Sequence, residues 1–132
     1  MSVLIGLHVK RVLEKNAEIM GYVGGRVFPL AVPQGVAQFP FICYDTSGAS
    51  GDRTKDGLVN DVATVALSVI AKKYEDAIKI GNLVRYAFEG RWGQYDEFRV
   101  QTCRNITYND EYIADFDAYA MNLSMDFLTI DY

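Results

Sequence analysis

The chain has 132 residues, 50% of them hydrophobic and 23% charged, with a formal net charge of -4. That length suits a single domain, the apolar content is too high for general disorder, and the acidic balance argues against a broad phosphate-binding face. No apolar run reaches the roughly 20 residues of a membrane-spanning helix.

Residues 2–16 predict a helix, with Val3, Leu4, Leu7, Val12 and Leu13 on its buried face and Ser2 as its N-cap. His8 falls on the polar side and reads as a surface residue. His8, Lys10 and Arg11 follow the apolar start, whereas a secretory signal puts its positive charges first; the stretch reads as the opening helix of a mature cytosolic protein. The helix should end near residues 16–21 and be broken decisively by Gly24-Gly25. Residues 26–30 predict a short extended segment closed by Pro29, and residues 33–38 a connector. The aromatic run 39–45 has strand character, and Pro40, which has no amide to donate, belongs at its start or at an edge.

Residues 47–57 are rich in glycine and charge and predict an exposed loop. Residues 59–71 alternate, with Ala63, Val65, Leu67 and Val69 on one buried face of a long strand. At residues 74–89 the period becomes helical, through Tyr74, Ala77, Ile78, Gly81, Val84, Arg85 and Phe88, with Gly90 as the stop. Residues 97–108 alternate again through Phe98, Val100, Ile106 and Tyr108, and Asn109-Asp110 signals a hairpin turn. Residues 118–130 are the clearest strand, with Tyr119, Met121, Leu123, Met125 and Phe127 on one face. The implied class is α+β: one mostly antiparallel β-sheet with two helices packed on one face, in the order α-β-β-β-α-β-β.

Little in this pattern carries catalytic chemistry. A single histidine cannot build the usual metal sites, and Asp52, Asp56 and Asp61 lack the spacing and terminal glutamate of an EF-hand. The glycines at 21, 24 and 25 follow a helix, the reverse of a dinucleotide-binding turn. Cys43 and Cys103 are far apart with no CxxC spacing and read as buried thiols. Carboxylates at 110, 111, 115 and 117 read as a solvated acidic turn, since nothing indicates a catalytic cleft around them. Arg91, Trp92, Arg99 and Arg104 with Tyr95 suggest a basic-aromatic surface suited to single-stranded nucleic acid, diluted by Glu89, Asp96 and Glu97. No catalytic residue, metal site or cofactor is expected.

Taken in order, the segments resemble the tail completion proteins of long-tailed bacteriophages and prophages, a group that includes tail terminators and tail-to-head joining proteins. The likeness starts in Val23-Gly24-Gly25-Arg26-Val27-Phe28-Pro29 and runs through Val32-Pro33-Gln34 and Phe39-Pro40-Phe41-Ile42-Cys43-Tyr44. It continues in Asp56-Gly57 before the long strand, in the helix opening Tyr74-Glu75-Asp76-Ala77, and in Asp110-Glu111-Tyr112 before the closing strand. Each motif is a generic turn or strand pattern; their order over nearly the whole chain is what is specific.

The resemblance implies a non-enzymatic virion protein of the tail, assembled in the cytoplasm of a bacterial host. It would form a hexameric ring at the head-proximal end of the tail tube, with further copies of itself, the tail tube protein and the head connector as partners, and neither membrane nor nucleic acid among them. Asp52, Arg53, Lys55 and Asp56 in the polar loop, with Arg91 and Trp92 in the less typical segment 91–95, are the interface candidates. The competing readings are a head-tail adaptor of similar shape and a small ligand-binding α+β domain; the latter requires a deep pocket near residues 110–117 or His8.

Overall fold

The computed structural model describes residues 3–30, 38–49 and 60–132. Helix α1 spans Ile5–Lys15 and α2 spans Ala17–Val23. Strands β1 (Val27–Pro29), β2 (Phe41–Ala49) and β3 (Asn60–Ala71) follow, then α3 (Tyr74–Phe88). The chain continues in β4 (Gly93–Gln94), β5 (Phe98–Ile113) and β6 (Ala118–Asp131). Among the described residues there are thus three helices and one sheet of six strands, ordered β1-β2-β3-β6-β5-β4. The α+β class holds; the element order gains a helix and a short strand, and the sheet is mixed because β1 runs parallel to β2.

The second helix exists because Asn16 caps it: its side chain accepts from the Ile19 amide at 3.0 Å, satisfying one of the donors a helix start leaves unpaired. Gly24, at φ 57, then ends it in the left-handed region that glycine enters without steric cost. In α1 the sequence phase is wrong by part of a turn. Ile5, His8, Val9, Val12 and Leu13 are buried, whereas Val3 and Leu7 are 79% and 57% exposed. Leu4, with no side-chain cap, occupies the position before the helix, and the expected cap Ser2 lies outside the described residues. His8 is therefore a core residue, not a surface one.

Both long strands keep their expected alternation. Ala63, Val65, Leu67 and Val69 of β3 face the same core as Met121, Leu123, Met125 and Phe127 of β6. The two pair antiparallel from Asn60↔Ile130 to Ala71↔Tyr119. Strand β2 begins right after Pro40 and continues to Ala49, pairing with β3 throughout. Residues 47–49 of the expected loop thus belong to the ladder, while residues 50–59 lie outside the described residues. In α3 the buried face is Ala77, Ile80, Gly81, Val84, Ala87 and Phe88; Tyr74 and Ile78 are partly exposed at its rim. Gly90, at φ 70, follows its end.

The Asn109-Asp110 turn is not there. Strand β5 runs on to Ile113, and the reversal occupies residues 114–117, with Asp117 at φ 47. Asn and Asp favour turns because their side chains bond the local backbone, but here the β6 ladder supplies partners up to Ile113↔Ala118 and wins. The long hairpin is irregular where its register shifts between Arg104 and Thr107, around Asn105 at φ 56.

The helices cover one face of the sheet, and α3 packs on β3 and β6. Phe88, Phe98 and Phe127 are among the largest fully buried side chains. A second small cluster, Phe41, Ile70, Ala118 and Ala120, joins β2, β3 and β6 on the helix-free side, where Cys43 packs against it. Cys103 belongs to the main core, and both cysteines are free thiols.

Candidate functional site

Two ends of the β5–β6 hairpin carry the most distinctive surface chemistry. At the first end, α1 and the segment between α3 and β5 enclose a recess of about 250 Å³ whose lining includes His8, Arg11, Lys15, Arg91, Trp92 and Tyr95. Arg11 and Lys15 come together because residues four apart share a face of α1. The recess is held in shape from below. His8 Nδ1 lies 2.6 Å from the Tyr95 hydroxyl, and the Tyr95 ring stacks on Phe98 with centroids 4.6 Å apart. The Arg11 guanidinium lies over the Tyr95 ring at 5.3 Å, a cation–π placement. Arg91 Nε donates to the Ala87 carbonyl at 2.7 Å, at the end of α3.

Trp92, 70% exposed, is the wall shared by this recess and a shallower one of about 360 Å³ with Gln94, Arg99 and Gln101. The ion pairs given by Lys10–Glu14, Lys79–Glu75 and Arg85–Glu89 do not involve the cations of the recess.

His8 shows what this concentration of charge does. Burial, then the Arg91 and Arg11 guanidinium groups, lower its pKa to about 4. Its Nε2 has no hydrogen-bond partner among the described residues, and its ring meets Phe88 and Phe127 edge-on. Gly93 is part of the same construction: a Cβ there would lie 2.8 Å from His8 Cε1 and Nδ1 and 3.0 Å from the Tyr95 ring. Gly93→Ala is expected to force these rings apart and cost about 1–3 kcal/mol, the usual penalty of overpacking. Urea denaturation reads the loss, and a variant as stable as the parent would show that the recess yields freely.

At the opposite end, the β5–β6 turn presents Asp115, Phe116 and Asp117, with Asp110, Glu111 and Tyr112 on the strand leading to it. Phe116 is 55% exposed. Lys72 Nζ donates to the Phe116 carbonyl, Tyr112 donates to the Asp117 carboxylate, and the Phe116 amide closes on the Ile113 carbonyl at 3.3 Å. This end is therefore a shaped acidic knob.

A third feature is a groove of about 530 Å³ between α3 and β5, bordered by Tyr74, Gly81, Tyr108, Asp110 and Met121. The Tyr74 hydroxyl donates to Asp110 across it at 2.6 Å. Beside it, the edge of β5 that faces away from β6 has no strand partner among the described residues beyond its two-residue pairing with β4.

Of the interface residues named from the sequence, Arg91 and Trp92 fall in the basic recess, whereas Asp52, Arg53, Lys55 and Asp56 lie outside the described residues. The flanking ends Ala49 and Asn60 stand at the sheet end where β5 starts, since Asn60 pairs with Ile130 and Phe98 with Asp131. Of the basic-aromatic group, Arg99 and Tyr95 join that end; Arg104 sits farther along β5, opposite Asp126. Arg11 and Lys15 were missed, because nothing local links α1 to residues 91–95. Asp61 is buried within β3, and no cluster that could hold a metal ion occurs among the described residues. None of their helices is long and apolar enough to cross a membrane.

No family model and no curated protein matches the chain in sequence. Its backbone does have a match among solved structures, a chain described as "Virion of native gene transfer agent (GTA) particle". The two share a fold. The TM-score is 0.75 at 18% identity, over 94% of this chain and 92% of that one. Coverage that complete on both sides means the likeness extends to the whole architecture, not to a common sheet motif.

Proposed function

We propose that this chain is a structural protein of a tailed virion that forms a hexameric ring at the head-proximal end of the tail tube and joins tail to head. The observation that carries the reading is the end-to-end fold likeness to a chain of a gene transfer agent virion. The ordered sequence resemblance to tail completion proteins supplies the narrower assignment. The surface is consistent with assembly: exposed Trp92, Tyr108, Tyr112 and Phe116 are residue types enriched where proteins dock. A ring closes through heterologous contacts, in which two different patches of one subunit meet on successive copies.

Light scattering of the purified protein over a concentration range, with images of the same samples, tests this. The expected species has about six times the 14.8 kDa mass of one chain and a ring outline. In virions lacking the protein, tubes of uncontrolled length and unjoined heads are expected. Normal tube length with unjoined heads would favour an adaptor role. A chain monomeric both free and on isolated tubes would overturn the ring.

A further inference from the structure

The two ends of the hairpin are complementary in charge and shape, and we infer that the acidic knob of one copy seats in the basic recess of the next. This contact rests on the assembly reading above and names its interface. Gly93 of the recess stands opposite Val100 on β5, and the strand runs on from there to Ile113, so at about 3.3 Å per residue the two patches lie about 40 Å apart. One subunit therefore cannot satisfy itself. The contact runs head to tail, the geometry a ring requires.

The chemistry matches in detail. The recess offers Arg11, Lys15 and Arg91 beside the exposed Trp92, and the knob offers Asp115, Phe116 and Asp117. Phe116 fits against Trp92 while the flanking carboxylates meet the guanidinium and ammonium groups. Both halves are shaped beforehand, the recess by the Tyr95 stack and the Arg91–Ala87 bond, the knob by Lys72 and the Ile113 closure, so little ordering entropy is lost on docking. An acidic chain, at net charge -4, disfavours a nucleic-acid backbone as the occupant. A basic recess in an acidic protein suits another acidic protein surface, and one such surface stands at the far end of the same hairpin.

Charge reversal in both halves tests the contact. Arg11→Glu/Lys15→Glu makes the recess acidic, and Glu111→Lys/Asp115→Lys makes the knob basic; all four residues are exposed, and circular dichroism confirms folding. Each variant alone should self-associate at least about tenfold more weakly, since like charges then face each other. Mixed in equal amounts they should recover assembly, because an acidic recess takes a basic knob and the unaltered pair forms at the alternate joints of an even-numbered ring.

Trp92 is the sole tryptophan, so its emission should shift to the blue as the parent protein associates. Rings that form with unchanged Trp92 emission, or persist in either variant, would overturn this contact and leave the ring standing. A concentration-dependent Trp92 shift with only open chains and no closed ring would support the contact and overturn the ring. Absence of both association and shift, free and on isolated tubes, would overturn both.

Discussion

Replacing Phe127 with alanine is expected to cost about 3–5 kcal/mol, the range for deleting a fully buried aromatic ring. The ring has no exposure and stands edge-on to Phe88 at 5.8 Å and to His8 at 5.7 Å. It thus joins α1 and α3 to the sheet from the middle of β6. A domain of this size is stable by roughly 5–15 kcal/mol, so the loss is a large part of the total. In urea the midpoint should fall with little change in slope. A loss under about 1 kcal/mol would mean that α1 and α3 close over the cavity, contrary to a rigidly packed centre. Phe127→Leu keeps most of the volume and should cost a fraction as much.

The second large effect is a fall in stability with acid that depends on His8. Burial and the nearby Arg91 and Arg11 lower its pKa from 6.5 to about 4. The unfolded chain therefore binds the proton more readily than the folded one. The stabilisation from holding a neutral imidazole is complete above about pH 6.5 and is lost as pH falls toward about 4. That interval corresponds to about 3 kcal/mol. His8→Gln removes the titration, so its stability should decline less between pH 7 and pH 4.5 than the parent's, other carboxylates being common to both. Equal slopes in the two proteins would show that His8 protonates freely in the fold. The affected region is the recess, because a charged imidazole would be forced among Arg11, Arg91 and the Phe88 and Phe127 rings.

Both predictions concern parts of the molecule that the sequence revealed unequally. Phe127 was legible: period-two alternation over 118–130 leaves one way to place a strand with one buried face. The same rule located the buried face of β3. His8 was not legible. Residues 3–15 have apolar side chains at 3, 4, 5, 7, 9, 12 and 13, which admit two helix phases, only one of which buries His8. What decides it is the Tyr95 hydroxyl, 87 residues away, which gives the ring a partner and makes burial tolerable.

Helix α2 was hidden because it is 7 residues long, too short for a period to declare itself, although Asn16 stood in the sequence as its cap. The hairpin turn was misplaced because local turn chemistry at Asn109-Asp110 competes with ladder hydrogen bonds that only the fold supplies. The recess repeats the point: Arg91 and Trp92 were nameable from composition, but their companions on α1 follow only from tertiary packing.

The position of β6 bears on how the molecule comes into being. It follows every other described strand in the chain yet lies inside the sheet, between β3 and β5. While the chain is being synthesised, β2 and β3 can pair with each other, but the other edge of β3 stays without its ladder partner until residues 118–131 have left the ribosome. The β3–β6 ladder joins residues as distant as Asn60 and Ile130, and closing such loops is slow compared with forming helices. Until that strand arrives, two long strands present unpaired edges, the state in which growing chains are most exposed to wrong partners. Under the contact proposed above, assembly is thereby deferred: the β5–β6 hairpin, with the basic recess at one end and the acidic turn at the other, is completed only by the strand that also completes the core.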